Sequence, residues 1–73
     1  MKDYIYRMMD ERKDLATKAY ALDIFLSNAP IVLNDTEKYL MHEQLEVMNR
    51  YIDILDARIS HATLKERLKE DEK

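Results

Sequence analysis

Apolar side chains recur at helical spacing in the first third of the chain. Met8, Leu15 and Leu22 follow one another every seven residues, a spacing typical of an amphipathic helix. Two rows of mixed apolar and polar residues flank them: Ile5, Arg12, Ala19 and Leu26 on one side, and Tyr4, Glu11, Lys18 and Phe25 on the other. The pattern predicts a first helix over residues 2–27.

A break follows, and residues 28–34 are predicted to form a connection. Pro30 disfavours helix at the residue before it and has no backbone N–H to donate. Asn34-Asp35-Thr36-Glu37 then forms a predicted capping box, in which the Asn34 side chain accepts from the backbone of the next turn and Glu37 reaches back. A second helix is predicted over residues 35–69.

The second helix has a continuous apolar row with alternating spacings of four and three, the pattern of a heptad seam. Its members are Met41, Leu45, Met48, Ile52, Leu55, Ile59 and Ala62. A second stripe lies beside it: Leu40, Gln44, Val47, Tyr51, Ile54 and Arg58. The apolar surface is therefore wider than one partner helix can cover.

These elements predict an all-α fold in which residues 1–73 form a single antiparallel two-helix hairpin domain. The short connection makes the helices antiparallel neighbours. At ~1.5 Å per residue the second helix reaches about 50 Å against about 40 Å for the first, so its last turns overhang. Because no third helix closes the core, we expect identical chains to assemble into a homo-oligomeric helical bundle.

Composition removes several classes of function. The chain has 73 residues, no glycine, one proline, no cysteine and a net charge of −3. The absence of cysteine excludes disulfide scaffolds and thiolate zinc sites. No segment is basic, so we expect no DNA or RNA polymer as partner. The longest uncharged apolar stretch, residues 29–33, is too short for a signal peptide or a membrane span, and we expect a cytoplasmic protein without membrane contact.

The first turn of the first helix carries the most informative candidate site. Tyr4 lies beside Arg7 and Met8, where unpaired backbone N–H groups, an aromatic face and a cation occur together. Such a turn is suited to binding an anion and a base. The alternative is that Tyr4 only packs within the oligomer.

No catalytic or metal site is predicted. His42-Glu43 is not followed by a second histidine at the spacing of zinc proteases, and the acidic pairs lie on charged helix faces. The spacing of Arg7, Arg12, Lys18 and Arg58 selects no reaction. We therefore expect no enzyme activity, no metal and no cofactor.

Two cations occupy positions where a coiled coil favours apolar residues. Arg12 lies in a flanking row of the first helix and Arg58 in the second stripe, near Tyr51. An acid such as Glu11 or Asp56, or one from a neighbouring chain, could pair with either cation and fix the register of the helices. Tyr51 and Arg58 are thus candidates for either a second ligand site or a register site.

The order of residues in the two helices resembles a known family. The elements are Arg7-Met8, Glu11, Leu15, Lys18, Leu22 and Phe25-Leu26, followed by Leu40, Gln44, Met48, Tyr51, Leu55 and Arg58-Ile59. Over residues 4–59 they are similar to the small phage-encoded helical hairpins grouped with the anti-CBASS and anti-Thoeris sponges. The resemblance implies a multi-chain helical assembly, with a hexamer as one candidate, that sequesters cyclic di- or trinucleotide second messengers in the infected bacterium without cleaving them.

The resemblance also implies roles for individual residues. Tyr4 would stack on the bases and Lys18 would meet the phosphates, with Met8 beside Tyr4 and Arg7 adding a bidentate contact. Fourteen residues separate Tyr4 from Lys18, about 21 Å along a helix, so the pocket would be shared between chains. The rival hypothesis is a structural coiled-coil adaptor that binds a host protein through the second stripe.

Overall fold

The computed structural model describes residues 2–28 and 33–71, with side chains described up to residue 69. Two helices make up this part of the chain, α1 over Asp3–Ser27 and α2 over Asp35–Asp71, and it contains no strand. The predicted all-helical fold is confirmed. The predicted helix break at Pro30 lies outside the described residues.

The ends of the helices follow from local hydrogen bonds. Asn34 Oδ1 accepts the backbone N–H of Glu37 at 2.8 Å, which forms one half of the predicted capping box. Within the described residues the reciprocal bond from the Glu37 side chain is not formed. At the other end of the connection, the backbone N–H of Asn28 donates to the carbonyl of Ile24 at 3.2 Å and closes α1.

The two helices pack against each other as antiparallel rods. Ile5 and Met8, near the start of α1, cluster with Ala62, near the end of α2. Further along, Arg12 pairs with Asp56. The whole rod measures 60 × 14 × 14 Å, which agrees with the length of α2 at ~1.5 Å per residue.

Only one of the two flanking rows of α1 lies in the seam between the helices. The buried or half-buried residues that form this side of the seam follow one another at alternating spacings of three and four residues. They are Ile5, Met8, Arg12, Leu15, Ala19, Leu22 and Leu26. The other flanking row, with Tyr4, Glu11, Lys18 and Phe25, is exposed. On α2 the predicted seam from Met41 to Ala62 is buried or half-buried throughout.

The second stripe of α2 is open in the single chain. Its members are all exposed, including the large apolar side chains of Leu40, Val47 and Ile54. Beyond Ala62, the last buried residue, α2 continues past the start of α1. This overhang presents Leu64 and Leu68, which are 56% and 55% exposed.

Candidate functional site

A pocket of about 190 Å³ lies where the start of α1 meets the later turns of α2. We call it the tyrosine pocket; its lining is Tyr4, Met8, Arg58, His61, Ala62 and Lys65. Tyr4 and Met8 are one helical turn apart and so share a face of α1. Ile5, which is 0% exposed, anchors this turn against α2, and the small side chain of Ala62 leaves room above the seam.

Cations dominate the polar lining of the tyrosine pocket. Arg58 and Lys65 bring two positive charges and His61 a titratable imidazole, whereas no described carboxylate lines the pocket. Among the described side chains, the one ion pair is Arg12 with Asp56. The charges of Arg58 and Lys65 are therefore available to an anion, next to an aromatic ring that can stack on a planar group.

A second pocket of about 360 Å³ adjoins the first on the overhang of α2. We call it the lysine pocket; its lining is His61, Leu64, Lys65, Leu68 and Lys69. His61 and Lys65 belong to both pockets. The two pockets are therefore neighbours at one end of the rod, on either side of these two side chains.

Two cross-helix contacts are formed in the register that brings Tyr4 to Arg58. Arg12 Nε donates to Asp56 Oδ1 at 2.8 Å, and Tyr51 Oη donates to Glu11 Oε2 at 2.7 Å. The hydrogen bond and charge of Asp56 raise the pKa of Arg12 above its usual value. The hydrogen bond to Glu11 also raises the pKa of Tyr51, with smaller contributions from burial and from the Glu11 charge, while the charge of Arg58 opposes them.

A third pocket, of about 370 Å³, lies halfway along the rod. Its lining is Arg12, Ala16, Ala19, Tyr20, Asp23, Leu45, Asn49 and Ile52. The carboxylate of Asp23 opposes an anionic ligand here, and the one cation, Arg12, is already paired with Asp56. The end of the rod is therefore the better anion site.

The structure distributes the predicted site residues unevenly. Tyr4, Met8 and Arg58 come together in the tyrosine pocket. Arg7 and Lys18 are exposed on α1 and line neither the tyrosine nor the lysine pocket. Tyr51 is hydrogen-bonded to Glu11 and lines none of the three pockets described above.

The sequence analysis does not predict His61 and Lys65 as members of this site. They follow Arg58 by three and seven residues, a spacing that places all three on one face of α2 and that could have indicated a shared site. Across the described residues no group of three or more His, Asp and Glu side chains could hold a metal ion. In the same part of the chain, neither helix is long and apolar enough to cross a membrane.

Fold and site together define a small two-helix protein with an aromatic and cationic pocket at one end. The family model of Sequestin matches residues 2–61, and the chain belongs to the Sequestin family. The match covers both helices and agrees with the sequestering class of protein that the sequence resembles. Neither the curated proteins nor the solved structures include a significant match to the chain.

Proposed function

We propose that this protein sequesters a cyclic di- or trinucleotide immune second messenger and so antagonises anti-phage defence in the cytoplasm of the infected bacterium. The observation that carries the proposal is the tyrosine pocket, in which Tyr4 lies beside Arg58 and Lys65. An aromatic face for a base and cations for a phosphate are the two groups that a nucleotide requires. The family name Sequestin supports sequestration as the mode of action.

The proposal includes an assembly of several copies. The tyrosine pocket, at about 190 Å³, is smaller than the roughly 300–1,000 Å³ of typical ligand pockets. A second chain could supply the missing wall. The exposed stripe with Leu40, Val47 and Ile54 gives identical chains an apolar surface through which to associate.

Lys18 enters the proposal only through such an assembly. It lies about 21 Å along α1 from Tyr4, too far for both to contact one small ligand from the same chain. A two-fold axis between antiparallel α1 helices would bring Tyr4 of one chain near Lys18 of the other. Arg7 would then approach a phosphate from the same turn as Tyr4.

Isothermal titration calorimetry with a panel of cyclic di- and trinucleotides tests the proposal. We expect binding by the wild type, and about 5- to 150-fold weaker binding by Tyr4→Leu, since stacking contributes roughly 1–3 kcal/mol per base. Tyr6→Leu is the matched control, because Tyr6 is an exposed tyrosine of the same turn that does not line the pocket. Sedimentation of both variants separates loss of binding from loss of assembly.

Capture without turnover is the second part of the test. After heating the complex, the bound nucleotide should be recovered chemically unchanged. A hydrolysed product would contradict the proposal of a non-catalytic protein. No heat with any nucleotide, from an intact assembly, would contradict sequestration of this ligand class.

The second candidate function is a structural adaptor that binds a host protein. The exposed apolar side chains of Leu40, Val47 and Ile54, which follow one another at intervals of about two helical turns on α2, favour it. An adaptor would lose its partner in Val47→Lys and keep it in Tyr4→Leu. In a nucleotide sponge, by contrast, Tyr4→Leu should weaken the binding of the nucleotide, as measured by calorimetry.

A further inference from the structure

The overhang of α2 carries cations that the helix pairing does not use. Ala62 is the last buried residue of α2 and packs against Ile5 and Met8 of α1. Lys65 and Lys69 follow one turn apart and both line the lysine pocket. This segment lies beyond residues 2–61, the part of the chain that the family model matches.

Two like charges at this spacing disfavour the helix. Lys65 and Lys69 are at positions i and i+4, where equal charges repel on the helix surface. Neither forms an ion pair with a described side chain, since Arg12–Asp56 is the one such pair in that part of the chain. A bound dianion between them would turn this repulsion into attraction.

The pocket geometry joins these cations to the proposed site. His61 and Lys65 line both the tyrosine pocket and the lysine pocket, so the two pockets are neighbours and one elongated ligand could contact both. Along the helix axis, Arg58 and Lys69 are about 16 Å apart, with Lys65 between them. This row is long enough for two phosphate groups held by successive cations, and Leu64 and Leu68 provide apolar surface beside the second.

We infer that the ligand extends from the tyrosine pocket into the lysine pocket and carries at least two phosphates, the second of which is bound by Lys65 and Lys69. This inference rests on the proposed function, because it assigns the far half of the same nucleotide site. It places one determinant of ligand choice, Lys69, outside the family match. Ligands with a single phosphate would leave the lysine pocket empty.

The alternative role of Lys69 depends only on its position near the end of α2 and involves no contact with the ligand. A cation in the last turn interacts favourably with the helix dipole whatever the ligand. Arg67 provides the matched control, because it lies in the same turn, carries the same charge and does not line the lysine pocket. If Lys69 acted only through the helix dipole or through long-range charge, Lys69→Gln and Arg67→Gln would weaken ligand binding equally.

The experiment compares Lys69→Gln, Lys69→Arg and Arg67→Gln in the full chain. The probe is the tightest binder among cyclic di-AMP, cyclic di-GMP and cyclic tri-AMP, measured by calorimetry, with circular dichroism and sedimentation to verify fold and assembly. We expect affinity to fall about tenfold in Lys69→Gln, as for loss of one charge-assisted contact. Lys69→Arg and Arg67→Gln should stay within about twofold of the wild type.

A cyclic mononucleotide with the same base tests the number of phosphates. We expect it to bind more weakly than the larger ligand, or not at all at millimolar concentration, and any binding should be unchanged in Lys69→Gln. Equal affinity for the two ligands would overturn the inference, and so would equal losses in Lys69→Gln and Arg67→Gln or no loss in Lys69→Gln. In those cases the proposed function stands, whereas absence of binding by every nucleotide ends both.

Discussion

Tyr51 and Glu11 join the two helices through a hydrogen bond of 2.7 Å from the phenol hydroxyl to the carboxylate. Tyr51 belongs to the second stripe of α2, and Glu11 to the exposed flanking row of α1. The bond therefore crosses the edge of the seam rather than its centre. Of the two roles that the sequence allows for Tyr51, ligand contact or register, this bond supports register.

The Tyr51 hydrogen bond predicts a pH dependence of stability. Because the bond raises the pKa of Tyr51 above its ordinary value of 10.0, its stabilising effect is fully present below that pH. The effect is lost as pH rises through the higher pKa of the folded state. Thermal melts should show wild type more stable than Tyr51→Phe at neutral pH, with the difference shrinking in strong alkali.

Tyr39→Phe is the control for this titration. Tyr39 is an exposed tyrosine of α2 whose side chain forms no hydrogen bond with a described residue. In a tyrosinate absorbance titration, Tyr51→Phe should remove a component that ionises above the ordinary range of tyrosine. Survival of that component in Tyr51→Phe, with Tyr39→Phe titrated alongside for the loss of a phenol alone, would show that the Glu11 contact does not persist in solution.

Much of the fold could be predicted because the seam of α2 repeats without interruption. On α1 both flanking rows combine apolar or aromatic residues with charged ones, three of four being apolar in the row of Ile5 and two of four in the row of Tyr4, so the pattern alone does not say which one faces α2. The structure resolves this through Arg12, which occupies a seam position and is compensated by Asp56 at 2.8 Å. That pairing depends on the register of the two helices, which local spacing does not contain.

The sequence groups only the α1 half of the candidate site, and it predicts Arg58 of α2 as a separate candidate near Tyr51 rather than as a neighbour of Tyr4. Tyr4 and Met8 are neighbours on one turn, so spacing is enough to group them. His61 and Lys65 reach them from a distant part of the chain through the antiparallel packing of Met8 near Ala62. Lys65 lies in a charged segment to which the sequence assigns no function, and only the overhang of α2 gives it one.

The buried seam predicts a large cost for truncating Leu55. This side chain is 0% exposed between the helices, and Leu→Ala changes at such sites cost about 2–5 kcal/mol through lost burial and the cavity left behind. Urea denaturation followed by circular dichroism should show this loss in Leu55→Ala. A cost below about 1 kcal/mol would mean that Leu55 is not enclosed as described.

Ile54, the residue before Leu55, should respond differently. It is 57% exposed in the single chain and belongs to the second stripe. If copies associate through this stripe, Ile54→Lys should shift sedimentation to a smaller species while the helical content of each chain is largely retained. Unchanged sedimentation would show that copies do not associate through this stripe.

The Arg12–Asp56 ion pair predicts that reversing one of its charges lowers stability and that exchanging the two charges restores it. Both side chains are partly exposed, at 40% and 50%, so we expect a small contribution that weakens with added salt. Asp56→Arg alone places two arginines together and should lower the melting temperature. Arg12→Asp with Asp56→Arg should recover most of this loss. A double-mutant cycle measures the coupling, and zero coupling at low salt would exclude a role in register.

A mixing experiment decides whether one site is built from two chains. If Tyr4 of one chain and Lys18 of another share a ligand, Tyr4→Leu and Lys18→Gln should each bind nucleotide poorly. A chain carrying Lys18→Gln keeps its Tyr4, and one carrying Tyr4→Leu keeps its Lys18, so a mixed pair contains one intact site. Unfolding and refolding an equal mixture should therefore restore binding to about one quarter of the sites by random two-fold pairing. No recovery, with Lys18→Gln binding like the wild type, would place the whole site at the end of a single chain, with Arg58 and Lys65 as its phosphate contacts.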